Sequence, residues 1–312
     1  MSVRSPLFFR RCRCLIEALQ FQSEVSTVAD ILHLKPPATT STTPMTQTEN
    51  SELRLYLNRV AAKYEQSRFI DSDPICIPHA YQSRQDQELI GLFAALLAWG
   101  RRDVLIRKLE DLSERMEYKP YRFIYDFRLE RDAGKLDGFG HRTFKTEDAL
   151  ELILRLQSLI KRHGTIETVC RAALIGQKVH IGPAIEALSK TLLSEPVMAP
   201  VRLRKHIARP STGSACKRLC MYFRWMVRPG PVDLGIWNSI RTDQLILPLD
   251  VHSGRQGRAV GLIKRRSNDW KTALELTEAC KRLDSNDPCK YDFALFGTGA
   301  AGEILVRPHQ NN

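Results

Sequence analysis

The chain has 312 residues, of which 43% are hydrophobic and 26% are charged, a composition that predicts a soluble globular protein. No apolar run reaches the roughly 18–20 residues needed to cross a bilayer, so a membrane-spanning protein is not expected. The net charge is +12, and residues 201–282 alone hold 17 Lys/Arg against 6 Asp/Glu. A positive surplus concentrated in one region is typical of a polyanion-binding protein, and a solvated basic face is the alternative.

The cysteine pattern predicts neither a disulfide framework nor a zinc site. The 8 cysteines are too sparse for the disulfide-dense scaffold of a small secreted domain. No Cys-x-x-Cys pair stands beside a second Cys or His pair at zinc spacing, so no metal is expected. Cys216 and Cys220 lie four residues apart on a predicted helix, where such a pair is more often part of a packed core. The pattern favours a reducing, cytoplasmic environment.

Residues 1–50 differ in composition from the rest of the chain. Residues 1–22 are rich in Arg and poor in acidic residues, which loosely resembles a targeting peptide. Residues 36–50 are rich in Pro, Thr and Ser, a composition typical of disorder. Met45 stands just before the first convincing helix, so a wrongly assigned start codon is the alternative explanation. We therefore predict a disordered or wrongly assigned extension over residues 1–50 and a folded domain over residues 51–312.

From Glu52 onward the pattern is helical almost throughout, which predicts an all-α fold. Leu53, Leu57 and Tyr64 recur at helical spacing in the first helix. A Pro-punctuated loop is expected over residues 71–87 and a second loop over residues 129–144, and no strand is predicted. The predicted helices cover residues 51–67, 85–99, 103–117, 121–126, 146–163, 165–175, 181–193, 198–208 and 217–228.

A turn followed by a basic helix is the first candidate binding site. Residues 210–216 form the turn, and Lys217, Arg224 and Arg228 then lie on one stripe of the helix. Because a basic stripe is costly to bury, we expect it to line a surface or a groove. Gly213 in the turn brings the helix N-terminus close to a partner, where free N–H groups and the helix dipole attract phosphate.

A second candidate site begins at Asp250. Pro248 disfavours helix at the residue before it, and Asp250 then stands where a helix N-cap belongs. His252, Arg255 and Arg258 follow within the predicted helix. An N-cap stabilises a helix by about 1 kcal/mol, so a purely structural role for Asp250 is the alternative to a chemical one.

The segment from Pro248 to Ile263, PLDVHSGRQGRAVGLI, resembles the signature of the hairpin–Gly/Pro–Asp DNA glycosylases, the class that includes endonuclease III. Residues 92–109 resemble the helix pair that begins the six-helix barrel of that class. The wider pattern of IPHAY, GSACKRL, MYFRWMVR and KYDFALFG is similar to a bacterial family of this fold and covers about residues 52–303. The resemblance implies a helix–hairpin–helix fold with two helical subdomains, one over about residues 85–228, and an active-site cleft between them.

The resemblance also implies a reaction, the excision of a damaged base from DNA. Asp250 would stabilise the oxocarbenium-like sugar as the base leaves and help to activate the attacking group. Lys217 would be the amine nucleophile, giving a Schiff base and permitting strand cleavage; a phosphate contact is its alternative role. Without the lysine, the same pocket would direct a water molecule. The damaged base, with an oxidised purine among the candidates, must be flipped out of the duplex to be reached.

Further residues are implied around this pair. The expected DNA contacts are Gly213, Ser214, Arg218, Arg224, Arg228, His252, Arg255 and Arg258. The candidates for stacking on the flipped base are Trp99, Trp225 and Trp237, each of which also suits the core. The chain departs from the class in its hairpin, where only Gly213 matches, and in the 33 residues that separate Lys217 from Asp250, a spacing similar to that of the archaeal 8-oxoguanine glycosylase branch.

No cofactor is expected, apart from a monovalent cation that the hairpin of this class can hold. The four-cysteine cluster motif of the class is missing beyond the last helix, so an iron–sulfur cluster is not predicted. The expected partner is double-stranded DNA that carries a lesion. The expected form is a monomer in the cytoplasm, associated with the nucleoid and without membrane contact.

Two other functions remain open from the sequence. The first is a non-catalytic DNA-binding protein that uses the same basic groove, and the second is an RNA- or nucleotide-directed enzyme on the same fold. Residues 297–302 also match the dinucleotide fingerprint G-x-G-x-x-G. Because a βαβ unit cannot be built in the ten residues after Gly302, we predict instead a helix that ends in glycine caps.

Overall fold

The computed structural model describes residues 47–176, 180–194 and 201–308. Most of these residues are helical, which confirms the all-α class. The first helix begins at Gln47, four residues before the predicted start of the folded domain at residue 51. The rest of the extension, with Met45 and the segment that resembles a targeting peptide, lies outside the described residues.

The helices follow the predicted order, except that the described part of the predicted helix over residues 198–208 holds only a 3₁₀ turn. In chain order they are α1 (Gln47–Tyr64), α2 (Cys76–His79), α3 (Arg84–Leu96), α4 (Arg102–Arg115), α5 (Pro120–Tyr125), α6 (Leu129–Asp132), α7 (Thr146–His163), α8 (Ile166–Ala172), α9 (Gly182–Ser194), α10 (Lys217–Val227), α11 (Val251–Ala259), α12 (Trp270–Leu283) and α13 (Tyr291–Ala300). Short 3₁₀ turns cover Ser67–Ser72, Ala133–Leu136, Val201–Lys205, Pro210–Thr212, Thr242–Gln244 and Pro288–Lys290.

Side-chain caps fix where several helices begin. Ser83 caps α3 and Thr165 caps α8, each by accepting a hydrogen bond from a backbone N–H of the first turn. Asp250 and Asp269 do the same for α11 and α12. These short polar side chains satisfy donors that have no partner inside the helix. Of these four caps, Asp250 is the one that the sequence analysis predicted.

The loop predicted over residues 129–144 contains structure that the sequence pattern did not indicate. Besides α6, it holds a two-stranded antiparallel ribbon of β1 (Gly140–His141) and β2 (Phe144–Lys145). Strands of two residues are too short to show a period of two, which is why the prediction missed them. The buried ring of His141 approaches the Trp99 carbonyl to 2.9 Å through Nε2, so the ribbon is tied to the turn between α3 and α4.

One continuous apolar core runs through the described residues. The last helix, α13, packs against the first, α1, and against α11, while α10 packs against α3. The end of the chain thus packs against its beginning, and α13 also lies beside the start of α11. This packing brings together residues that are far apart in sequence.

A buried carboxylate joins three parts of this core. The Glu88 side chain on α3 accepts hydrogen bonds from the backbone N–H groups of Ile166 and Glu167, and so caps α8 from a distance. It also accepts a hydrogen bond from Trp237 Nε1 at 2.9 Å. Burial raises the pKa of Glu88, while these hydrogen bonds lower it. The group is a structural anchor away from the candidate site.

The cysteines of the described residues are buried, and Cys170, Cys216, Cys220, Cys280 and Cys289 form no disulfide. Cys216 and Cys220 lie in the core, which confirms the interpretation of their spacing. Among the helices of the described ranges, none is long and apolar enough to cross a membrane.

Candidate functional site

A cleft of about 320 Å³ lies where α10, α11, α13 and the turn between α3 and α4 meet. Its size falls within the usual range for small-ligand pockets. The cleft is lined by Phe69, Asp73, Pro74, Ala98, Trp99, Gly100, Arg102, Leu105, Lys217, Met221, Arg224, Pro248, Asp250, His252, Asp292 and Phe296. The lining thus combines aromatic rings with three carboxylates and three cationic side chains.

Lys217 enters the cleft from the first residue of α10. The turn before α10 contains two residues in the left-handed backbone conformation, Gly213 with φ 78° and Cys216 with φ 50°. A glycine adopts that conformation without strain, whereas Cys216 does so at some cost. The left-handed residue directly before α10 sets the direction from which Lys217 approaches the cleft.

Asp250 faces Lys217 from the N-cap of α11. Its Oδ1 accepts a hydrogen bond from the Ser253 N–H at 2.9 Å, and the Ser253 hydroxyl donates in turn toward the Asp250 carboxylate and the Pro248 carbonyl. Its Oδ2 lies 3.7 Å from Lys217 Nζ. The carboxylate is therefore an N-cap with one oxygen and a partner of the lysine with the other. The structure brings together the two residues that the sequence singled out, although 33 positions separate them.

The pair is accessible from solvent but held in place. The side chain of Lys217 is 28% exposed and that of Asp250 is 21% exposed. Lys217 Nζ also lies 5.6 Å from the centre of the Phe296 ring, a favourable arrangement for a cation. An amine and a carboxylate at this separation can exchange a proton through a small movement or through one water molecule.

Asp292 is a second carboxylate of the cleft, and the sequence reasoning assigned it no role. It lies on α13, is 4% exposed and pairs with Arg224. The pKa of Asp292 is raised to about 6, because burial and the charge of Asp250 raise it more than Arg224 lowers it. The sequence did contain a signal for Asp292, because an aspartate inside the apolar run of α13 needs a charged or hydrogen-bonding partner when it is buried. Its partner, however, lies 68 residues away.

Aromatic rings form the walls of the cleft. Trp99 lies at the turn before α4, and Phe296 on α13 has Phe69 at its edge with 6.5 Å between ring centres. The guanidinium of Arg102 lies 5.2 Å from the centre of the Phe296 ring. Arg102 and Lys217 therefore both lie close to the Phe296 ring. Sequence reasoning found Trp99 but missed Phe296, because an apolar residue in an apolar helix carries no signal of exposure.

Comparison with known proteins gives one match. The model of the family described as "Protein of unknown function (DUF2400)" matches residues 73–301. This range covers well over half of the chain. The chain belongs to the DUF2400 family. No curated protein and no solved structure matches it.

In this DUF2400 chain, the matched range contains the cleft almost entirely. Asp73 is the first residue of the matched range, and Phe69 is the one lining residue of the cleft that precedes that range. Lys217, Asp250 and Asp292 all fall inside. The candidate site is therefore a feature of the family region.

The expectation that Arg224 and Arg228 contact DNA is wrong, although Arg224 lies on the lining of the cleft. Their side chains are 4% and 5% exposed and form a buried arginine cluster with the carboxylates of Glu65, Asp233, Asp287 and Asp292. Both guanidinium groups also lie over the Phe293 ring. Carboxylates from three segments of the chain compensate the two charges, so these arginines are not free to contact DNA phosphates.

Two of the three tryptophan candidates are also wrong. Trp225 is fully buried and Trp237 is 3% exposed. The Trp237 ring packs edge-on against Tyr222 and Phe223, and its N–H donates to Glu88. Only Trp99 lines the cleft.

The predicted hairpin residues do not line the cleft. Gly213 is exposed, and its carbonyl accepts a hydrogen bond from the Trp270 N–H at 3.0 Å. Ser214 pairs with Asp269 through the backbone, so the turn is docked on the start of α12. Arg218 points inward, donates to the Leu96 carbonyl and lies 4.9 Å from the centre of the Trp99 ring. It supports the wall of the cleft from behind.

The basic residues of α11 divide into two groups. Arg258 donates to the carbonyls of Arg265, Arg266 and Ser267 and thereby braces the loop before α12. His252 is exposed and lines the mouth of the cleft, and Arg255 is exposed on the same helix. His252 and Arg255 thus remain available to a partner, whereas Arg258 is engaged within the protein.

The glycines of residues 297–302 serve helix packing. A Cβ on Gly299 would lie 2.7 Å from the Cβ of His252, and one on Gly297 would clash with Tyr64. Gly302 has φ 76° just after α13, which confirms the predicted glycine cap. These glycines let α13 approach α1 and α11 closely.

Within the described residues there is also no group of three or more His, Cys, Asp or Glu side chains that could hold a metal ion.

Proposed function

We propose that this protein is a DNA base-excision glycosylase and that Lys217 and Asp250 carry out its chemistry. The observation that carries the proposal is the 3.7 Å approach of Lys217 Nζ to Asp250 Oδ2 inside a cleft with aromatic walls. The resemblance of residues 248–263 to the glycosylase signature gives the reaction class. Fold analogy alone would be a weak argument, so the proposal rests on the geometry of this pair.

Asp250 is held in the orientation that the reaction requires. Its Oδ1 is fixed by the first turn of α11, so Oδ2 has a defined position without further ordering. As the base leaves, positive charge develops on the sugar. A fixed carboxylate close to that charge lowers the energy of the transition state more than that of the ground state.

Lys217 supplies the nucleophile. After its ammonium loses a proton, its lone pair forms a bond to the anomeric carbon, and the glycosidic C–N bond breaks with its electron pair moving to the base, which takes up a proton. Opening of the sugar ring then leaves an iminium link between the lysine and the sugar. Loss of the 3′ phosphate by β-elimination would cleave the strand. Asp250 is placed to receive the lysine proton.

The walls of the cleft suit a flipped nucleotide. A base must leave the duplex stack to reach a buried reaction centre, and aromatic rings replace the stacking that it loses. Trp99 and Phe296 lie on the lining of the same cleft as the catalytic pair. A volume of about 320 Å³ admits one base rather than a stretch of duplex.

Borohydride trapping tests the proposal. The protein is incubated with duplexes that carry 8-oxoguanine, uracil, thymine glycol, an alkylated purine or an abasic site, and the imine is reduced to a stable adduct. We expect an adduct with wild type, none with Lys217→Ala, and an unchanged amount with Lys271→Ala, which removes an exposed lysine of α12. Base release in the same reactions should require Asp250 but not Asp269.

Each outcome has a defined meaning. Base release without an adduct would show that water, not Lys217, is the nucleophile. Salt-sensitive duplex binding that is indifferent to Asp250→Asn, without any product, would indicate a non-catalytic DNA-binding protein. Absence of both adduct and base release on every duplex would refute the enzymatic proposal.

A further inference from the structure

A second concave surface lies on the other side of Trp99 from the cleft. It has a volume of about 320 Å³, and we call it the basic pocket. It is lined by Arg142, Thr143, Lys145, Arg202, Lys205 and His206. These residues come from the β1–β2 ribbon and from the 3₁₀ turn over Val201–Lys205 with the residue after it.

The basic pocket has four cationic side chains and no carboxylate on its lining. Arg202 is paired with Asp148 at 3.0 Å. Among the described residues, no ion pair compensates Arg142, Lys145 or Lys205. Like charges that converge on one concavity repel each other, and an anion that enters the basic pocket relieves this repulsion.

The floor of the basic pocket contains an unpartnered polar atom. His206 is 1% exposed, and its Nδ1 has no hydrogen-bond partner among the described residues. Its Nε2 lies 3.7 Å from Asp148 Oδ2. Burial lowers the pKa of His206, Asp148 raises it, and the nearby cations Arg218, Arg202 and Lys205 lower it. A buried ring nitrogen without a partner among the described residues is costly, and a ligand that reaches it would relieve that cost.

The basic pocket adjoins the cleft through one aromatic ring. The rings of His206 and Trp99 lie edge to face with 5.4 Å between their centres, and Trp99 lines the cleft. The Arg142 guanidinium packs against Gly100. A Cβ built on Gly100 would lie only 2.9 Å from Arg142 Nη1. Gly100 also lines the cleft. A group in the basic pocket and a base in the cleft would therefore be neighbours.

We propose that the basic pocket binds a backbone phosphate of the nucleic-acid strand whose base enters the cleft. Guanidinium and ammonium groups donate to the phosphate oxygens, and the His206 ring adds one hydrogen bond in the tautomer that carries the proton on Nδ1. This inference rests on the proposed function for the choice of a strand over a free phosphate. The adjacency of the two cavities supports that choice.

Duplex binding at several salt concentrations tests the inference. The double variant Arg142→Ala/Lys205→Ala removes two exposed cations of the basic pocket. Fluorescence anisotropy with a labelled duplex containing an abasic-site analogue should show about tenfold weaker binding and a log–log salt slope smaller by about one to two. The matched control Lys190→Ala/Arg241→Ala removes two exposed cations that are paired with Glu186 and Asp243, and it should bind like wild type.

Thermal unfolding with inorganic phosphate, against chloride at equal ionic strength, separates a strand from a free ligand. Stabilisation by phosphate that the double variant loses, with unchanged duplex binding, would assign a free phosphate and overturn the inference. Equal duplex affinity and salt slope in the double variant and wild type would also overturn it. If no duplex is processed but the double variant still loses duplex affinity, the proposed reaction fails and the phosphate site stands.

Discussion

The two ends of α10 carry the same kind of side chain in opposite environments. Lys217 at its start is 28% exposed and faces one carboxylate at 3.7 Å. Arg224 and Arg228, two and three turns later on the same stripe, are buried among four carboxylates. Helical periodicity shows which residues share a face. Whether that face meets solvent depends on the acidic residues that the rest of the chain brings to it.

The comparison also separates two uses of positive charge. A buried ion pair with all its partners present fixes how segments pack, and its removal leaves uncompensated charges. A partly exposed pair in a cleft contributes little to stability and remains free to react. Variants at the two ends of α10 should therefore affect different properties.

The largest effect is expected in the buried arginine cluster. Arg224→Ala leaves the buried Asp292 without its ion-pair partner and Asp233 with Arg228 alone, and it should lower the free energy of unfolding by about 3–5 kcal/mol. Lys217→Ala should change it by less than about 1 kcal/mol. Urea denaturation followed by circular dichroism measures both. Similar losses for the two variants would show that the two ends of α10 do not differ in this way.

A smaller effect is expected in α13, which contributes Asp292 to the buried arginine cluster and Phe296 to the cleft. Gly299→Ala places a methyl group 2.7 Å from the His252 Cβ and should destabilise the protein by about 1–3 kcal/mol. The displaced start of α11 should also slow base release. Gly302→Ala meets no atom within 4 Å and should cost only about 1 kcal/mol through its left-handed backbone. An equal loss at both positions would argue against close packing of α13 on α11.

The buried cluster should make stability depend on pH through Asp292. Its pKa of about 6 lies above the value of 3.8 for an unperturbed Asp, so the folded protein binds more protons than the unfolded chain between these values. The contribution of Asp292 to stability therefore falls as the pH rises from about 4 to about 6. In Asp292→Asn, the unfolding free energy should fall less steeply over this range. An identical slope in both proteins would contradict this.

The smallest effect on stability is expected at Asp250, where two roles can be separated. Asparagine is as good an N-cap as aspartate, whereas alanine is not. Asp250→Asn should leave the unfolding free energy nearly unchanged, and Asp250→Ala should lower it by about 1 kcal/mol. Chemical denaturation of the two variants checks the order. A large loss of stability in Asp250→Asn would mean that the carboxylate charge supports the fold.

The sequence predicted local features better than their surroundings. Asp250 as an N-cap, Cys216 and Cys220 as core residues and Gly302 as a helix end follow from neighbouring residues alone. The buried state of Arg224 depends on Asp233 and Asp292, which lie 9 and 68 residues away. No local pattern contains that information.

The candidate site was predicted in part for the same reason. Lys217, Asp250, His252 and Trp99 carry recognisable chemistry or a recognisable motif, and all four line the cleft. Phe296 and Asp292 line it too, but only the packing of α13 against α11 places them there. The two tryptophans assigned wrongly share their residue type with Trp99, and residue type alone does not distinguish a cleft wall from the core.

The most direct test of the central claim is the single-turnover rate of base release by Asp250→Asn, on the duplex that gives the strongest trapped adduct. Asp269→Asn is the matched control, because Asp269 caps α12 in the same way and does not line the cleft. We predict that Asp250→Asn lowers the rate by at least about a hundredfold without loss of stability and that Asp269→Asn keeps the wild-type rate. Base release by Asp250→Asn at the wild-type rate would contradict the assignment of chemistry to the Lys217–Asp250 pair.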